Sequence, residues 1–181
     1  MSRRFVRIIL LLVLLGALAP AAHAVVRYGA VTGNWSAAGT WKTACAAGAA
    51  SAVPLAGDDV IICPLITVTL DANSASLNTL TVQATGILNI GSAAARTLTV
   101  AGTLTNLGTL QYSTAQAHVI NVSGAFNNSG GTFTSGAVAG AKTLTVTGLI
   151  TNSGIFRYAG TAILTVNANG GISNSGTFDV N

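Results

Sequence analysis

Four aspartates, His118 and two cysteines are the residues of this sequence best suited to chemistry. Asp58 and Asp59 are adjacent, Asp71 follows soon after, and Asp179 lies far away near the last residue. There is no glutamate. Paired carboxylates can act as general acid and base on a glycosidic bond, or hold Ca²⁺. Neighbouring residues on a strand point to opposite faces, however, so Asp58 and Asp59 do not converge there. After Gly57 they are better suited to capping a turn. His118 sits in Ala-Gln-Ala-His-Val with no acid nearby in sequence, which predicts a surface or core side chain and not a catalytic base. The sequence carries no G-x-S-x-G elbow, no H-E-x-x-H pair and no phosphate-binding loop. No catalytic residue, metal ligand or cofactor site is therefore expected, and the chain is predicted not to be an enzyme.

The first residues look like an export signal. Arg3, Arg4 and Arg7 are followed by the uncharged apolar run Ile8 to Leu18, then Pro20 and Ala21-Ala22-His23-Ala24. A basic start, a short apolar stretch and an A-x-A site describe a secretory leader, with cleavage expected after Ala24. The apolar run is shorter than the roughly 20 residues a spanning helix needs. An uncleaved anchor is the alternative. No cysteine follows the site, so a lipoprotein signal is not supported. The expected destination is the extracellular space or cell surface, with the periplasm or outer-membrane association as variants. No membrane span is expected after cleavage.

Without residues 1–24 the basic residues are Arg27, Lys42, Arg96, Lys142 and Arg157, against the four aspartates. The net charge drops from +4 to about +1. No basic patch remains for a phosphate backbone, so nucleic acid is not an expected partner. Charged residues make up only 7% of the chain, against a usual figure of about 25%. That excludes a coiled coil, which needs charged wet faces, and a charge-rich disordered tail. In an exported protein the pair Cys45 and Cys63 predicts a disulfide. It would close a loop of about 18 residues and add roughly 3 kcal/mol. Half of a metal site is the alternative, with neither a histidine nor a second cysteine pair nearby.

Beyond residue 75 the chain repeats. Five copies of Leu-Thr-Val, or its relative Ile-Asn-Val, end at Val82, Val100, Val122, Val146 and Val166. Each is followed by an apolar residue, a spacer and an asparagine, at Asn89, Asn106, Asn128, Asn152 and Asn174, with a glycine two residues on. Leu110/Tyr112, Phe156/Tyr158 and Phe178/Val180 supply a third apolar pair. Each unit thus reads as three short strands with alternation of period two. One unit cannot bury its apolar side, but stacked units can, about 4.8 Å apart. The predicted fold is all-β: a single-stranded parallel β-helix (a β-solenoid), right-handed by the crossover rule. The five asparagines are expected to stack as an amide ladder, and the glycines to take positive φ at the corners. Thr, numbering 23 beyond residue 24, would cover the wet faces. An all-β sandwich is the competing architecture.

Residues 25–74 differ from the repeats, which are assigned to 75–181. They hold Trp35, Trp41 and both cysteines, and read as an N-terminal cap with the first rungs at Val60–Ile62 and Val68–Leu70. The order Gly33-Asn34-Trp35-Ser36, Thr40-Trp41, Pro54-x-x-Gly57-Asp58-Asp59-Val60-Ile61-Ile62, Val68, Leu70-Asp71, Leu80, Val82 resembles the opening of exported bacterial, adhesin-like β-helix proteins. Over about residues 33–82 it is also similar to the G8 domain, an extracellular β-rich module. The resemblance implies a surface or secreted context. The function expected is structural or adhesive. A carbohydrate-binding module or a polysaccharide-active β-helix enzyme is the rival, and an N-terminal fragment of a longer adhesin-like protein the third reading. A surface glycan or another protein would be the partner. Phe178-Asp-Val-Asn181 breaks off in mid-pattern, so end-to-end self-association through the C-terminal rung is a further expectation.

Overall fold

The computed structural model describes residues 24–180 except Ala137 and Ala162. The export signal expected over residues 1–24 lies, apart from Ala24, outside the described residues. The rest is a β-solenoid of about five turns built from three parallel sheets, with one 3₁₀ turn at Ala38–Thr40.

From Asp59 onward the chain visits the three sheets in the same order on every turn. The first sheet stacks Val26–Gly29, Asp59–Ile62, Thr79–Val82, Leu104–Asn106, Phe126–Asn128, Ile150–Asn152 and Ile172–Asn174. The second stacks Gly33–Asn34, Thr67–Leu70, Ile87–Ile90, Thr109–Tyr112, Thr132–Ser135, Ile155–Tyr158 and Thr177–Val180. The third stacks Ser76–Leu77, Thr97–Val100, Val119–Val122, Lys142–Val146 and Leu164–Ala168. We call the passages from first to second, second to third and third to first sheet the first, second and third corners.

Alternation along these short strands decides what is inside. Columns such as Val60, Leu80, Leu104, Phe126 and Ile150 are fully buried, one residue per turn. Burying each contributes about 1.5–3 kcal/mol. The middle of the molecule is aromatic: Phe133 lies 5.7 Å from Phe126 edge-on and 4.5 Å from Phe156, which stacks on Phe178. Outward positions are mostly threonine, half-buried by their neighbours along the column.

Two phases in the repeat need correction. Leu80-Thr81-Val82 does not stack on Leu98-Thr99-Val100. It lies in the first sheet under Leu104-Thr105-Asn106, while the residue beneath Val100 is Leu77. In the last copy Val166, not Leu164, stacks on Leu144, and Leu164 lies against Lys142. The same alternation serves every face, so the triplet alone does not say which sheet it joins.

The corner glycines also differ from expectation. Of those two residues past an asparagine of the repeat, only Gly130 has positive φ. Gly108, Gly154 and Gly176 are glycines for want of room. A Cβ at Gly108 would run into the carbonyls of Gln83 and Gly86, at Gly154 into that of Gly131, and at Gly176 into that of Gly154. Close stacking of the backbone, not torsional freedom, selects glycine there.

The N-terminal segment closes the first turn. Trp41–Lys42 pairs antiparallel with Val26–Gly29 and shields the edge of the first sheet. Trp41 is fully buried, meets Trp35 edge-on at 4.8 Å, and donates its Nε1–H to the Trp35 carbonyl at 2.8 Å. The chain then loops out and returns to the first corner, where Cys45 is disulfide-bonded to Cys63.

Candidate functional site

The aspartates are dispersed. Asp58 is buried, takes the Leu55 N–H at 2.9 Å across the Gly57 turn, and pairs with Arg27 at 2.9 Å. Burial pushes its carboxyl up, but the Leu55 N–H, Arg27 and the Val25 N–H outweigh this and hold it below the usual range. Asp59 points outward to the side chains of Asn78 and Thr79. Asp71 binds the Ser36 backbone N–H and hydroxyl, and these outweigh burial to lower its carboxyl as well. Asp179 pairs with Arg157 at 3.4 Å. Every carboxylate thus serves a local turn or pair. Among the described residues no group of three or more His, Cys, Asp or Glu is placed to hold a metal ion. None of their helices is long and apolar enough to cross a membrane.

The first corner carries the amide ladder. Asn106 donates to Asn128 at 2.7 Å, Asn128 to Asn152 at 2.6 Å and Asn152 to Asn174 at 2.6 Å. Each of the three donors also reaches a backbone carbonyl of the next turn: Thr132, Ile155 and Thr177. Asn89 is not a rung of this ladder. It sits in the second sheet on the outer face, where it accepts from Gln111 at 2.5 Å. Its parity is outward, between the buried Leu88 and Ile90. The place below Asn106 belongs to Val82, which has no donor to offer, and the Asn106 Oδ1 is buried without a partner. Spacing carried the signal: Asn89 precedes Asn106 by 17 residues, whereas the true rungs lie 22 and 24 apart.

The second corner holds a cluster that motif reading missed. Arg96 and His118 stand just before a strand of the third sheet and Lys142 opens one, and the pairings Thr97 to Val119 to Thr143 put the three on consecutive turns. His118 and Lys142 are fully buried. The Lys142 ammonium donates to the carbonyls of Gln116 at 2.5 Å, Gly140 at 3.0 Å and Ala139 at 3.1 Å, and lies 6.0 Å from the centre of the Tyr112 ring. Burial lowers its proton affinity. His118 Nδ1 accepts the Arg96 backbone N–H at 3.0 Å, and its Nε2 is 2.7 Å from the Thr114 hydroxyl. Thr114 spends its own proton on the Ser92 carbonyl, so Nε2 carries the imidazole hydrogen. Tyr112 donates to the Thr143 carbonyl, and burial raises its phenol above the ordinary range. His118, Lys142 and Tyr112 are thus saturated by the fold and present no open nucleophile or base, whereas the Arg96 Nε is buried without a partner.

What remains accessible is the outside. The third sheet shows Thr97 and Thr99, Val119 and Asn121, Thr143 and Thr145, then Thr165 and Asn167 on successive turns. The first shows Thr81, Thr105, Asn127, Thr151 and Ser173 in one row. These rows carry hydroxyls and amides about 4.8 Å apart and no charge.

A family model described as the G8 domain matches residues 40–163, more than two thirds of the chain. The match begins within the cap and runs through most of the repeats, well past the stretch whose motifs resemble that module. Neither among curated proteins nor among solved structures was a match found.

Proposed function

The chain belongs to the G8 domain family, and on that premise we propose that it is an exported, cell-surface structural and adhesive module without catalytic activity. The observation that carries this reading is the contrast between saturated carboxylates and open, uncharged rows of Thr, Asn and Ser on a stiff frame. Such rows can hydrogen-bond a polar, neutral polymer over several turns, and a surface glycan is the partner they suit best. The basic start and A-x-A site support export with cleavage after Ala24.

The test combines binding with turnover. The purified full chain is placed on a glycan array and incubated with neutral and acidic polysaccharides. Binding without release of reducing ends is the expected result. Depolymerisation that disappears in Asp58→Asn, Asp59→Asn or Asp71→Asn would replace adhesion with polysaccharide cleavage. N-terminal sequencing of exported protein should begin at Val25.

A further inference from the structure

We propose that Arg96, His118 and Lys142 form an acid-sensitive lock on the second corner, closed while His118 is neutral and loosened when it takes a proton. Stacking fixes the arrangement. The backbone pairing holds Arg96 on the turn before His118 and Lys142 on the turn after, each about 4.8 Å away along the axis. The third neighbour is the Tyr112 ring, stacked on the imidazole at 6.3 Å and carrying no charge. The four aspartates make their contacts elsewhere: Asp58 with Arg27, Asp59 with Asn78 and Thr79, Asp71 with Ser36, and Asp179 with Arg157. The charge of Arg96 reaches Asp71. His118 is therefore a buried imidazole between two cations.

The hydrogen bonds point the same way. The Nδ1 lone pair receives the Arg96 N–H, and Nε2–H goes to Thr114. A second proton has only Nδ1 to occupy. It would set an N–H against the Arg96 N–H and remove the acceptor that joins one turn to the next. Burial, then the charges of Lys142 and Arg96, hold the imidazole at about 4, down from 6.5.

The sign follows from linkage. Above pH 6.5 His118 is neutral in folded and unfolded chains alike, and it contributes no pH dependence. Between 6.5 and about 4 the unfolded chain binds the proton and the folded chain does not, so stability falls as pH falls. Below about 4 both forms are protonated and this contribution is constant. The lowered carboxylates of Asp58 and Asp71 lose their stabilisation further down, as pH drops below their ordinary value of 3.8, so the two effects occupy different windows.

The experiment follows the His118 ring protons by NMR across pH 3 to 8 in the full chain, beside thermal unfolding at each pH. The His118→Asn variant identifies the resonance and keeps an acceptor oxygen near the Arg96 N–H. Wild type should titrate near 4 and lose roughly 10- to 100-fold in its folding constant between pH 6.5 and 4. His118→Asn should be flat across that window and fall only below it. Should that variant fail to fold, Lys142→Met serves in its place, since removing one flanking cation should raise the His118 midpoint. A wild-type midpoint near 6.5, an acid loss unchanged in His118→Asn, or a midpoint unmoved by Lys142→Met would each overturn the proposal.

Discussion

The first and second corners solve one geometric problem in opposite ways. Both stack an inward polar side chain on itself turn after turn, at separations of 22 and 24 residues in chain order. At the first corner the side chain is an amide, with a donor for the turn ahead and an acceptor for the turn behind. Each rung satisfies the next, and the motif can be repeated without accumulating charge. At the second corner the side chains are Arg96, His118 and Lys142. Their side chains do not satisfy one another: Lys142 draws on three carbonyls, His118 on Thr114 and the Arg96 backbone N–H, and the buried Arg96 Nε has no partner. Stacking thus favours groups that are self-complementary, and the buried cation Lys142 is held there by backbone carbonyls.

The largest expected effect tests the interior of the ladder. Asn128→Val removes the acceptor of Asn106, the donor to Asn152 and the bond to the Ile155 carbonyl. It should cost about 3 kcal/mol, read as a drop in denaturant midpoint, because buried partners are left unpaired. A smaller loss is expected at the other corner. Lys142→Met fills the same space but uncaps the Gln116, Ala139 and Gly140 carbonyls. Escape from a buried charge offsets part of that, leaving a cost of about 2 kcal/mol by the same measurement. A loss as large as that of Asn128→Val would erase the distinction between the corners. The smallest effect belongs to Val82→Asn. It places an amide beneath the unpartnered Asn106 Oδ1. The gained bond nearly balances the lost apolar burial, so stability should stay within about 1 kcal/mol of wild type. A loss above about 2 kcal/mol would show that the ladder does not extend downward.

The sequence made the architecture legible because stacking requires repetition. The period, the three short strands per turn and the interval shared by Asn106, Asn128, Asn152 and Asn174 are all visible in the chain. Phase was harder to read. Leu80-Thr81-Val82 and Leu98-Thr99-Val100 look identical since both alternate in and out, yet they belong to different sheets. Only counting residues around the turn separates them, and the interval of 17 before Asn106 was the sign that Asn89 was out of step. The basic column escaped notice for the reverse reason. Its spacing matches the ladder, but its residue type changes from arginine to histidine to lysine. A search for one repeated letter passes over a position defined only by its place at the start of a strand.

The Cys45–Cys63 bond has a mechanical consequence. In the adhesive role proposed above the chain would bear tension, and parallel turns peel apart one at a time when a chain is drawn out. Pulled from its N-terminal side, the cap can unwind only as far as Cys45. The 18-residue separation behind the bond keeps roughly 60 Å of contour out of reach of the load. The pull then passes directly to Cys63, at the first corner of the first full turn of the solenoid.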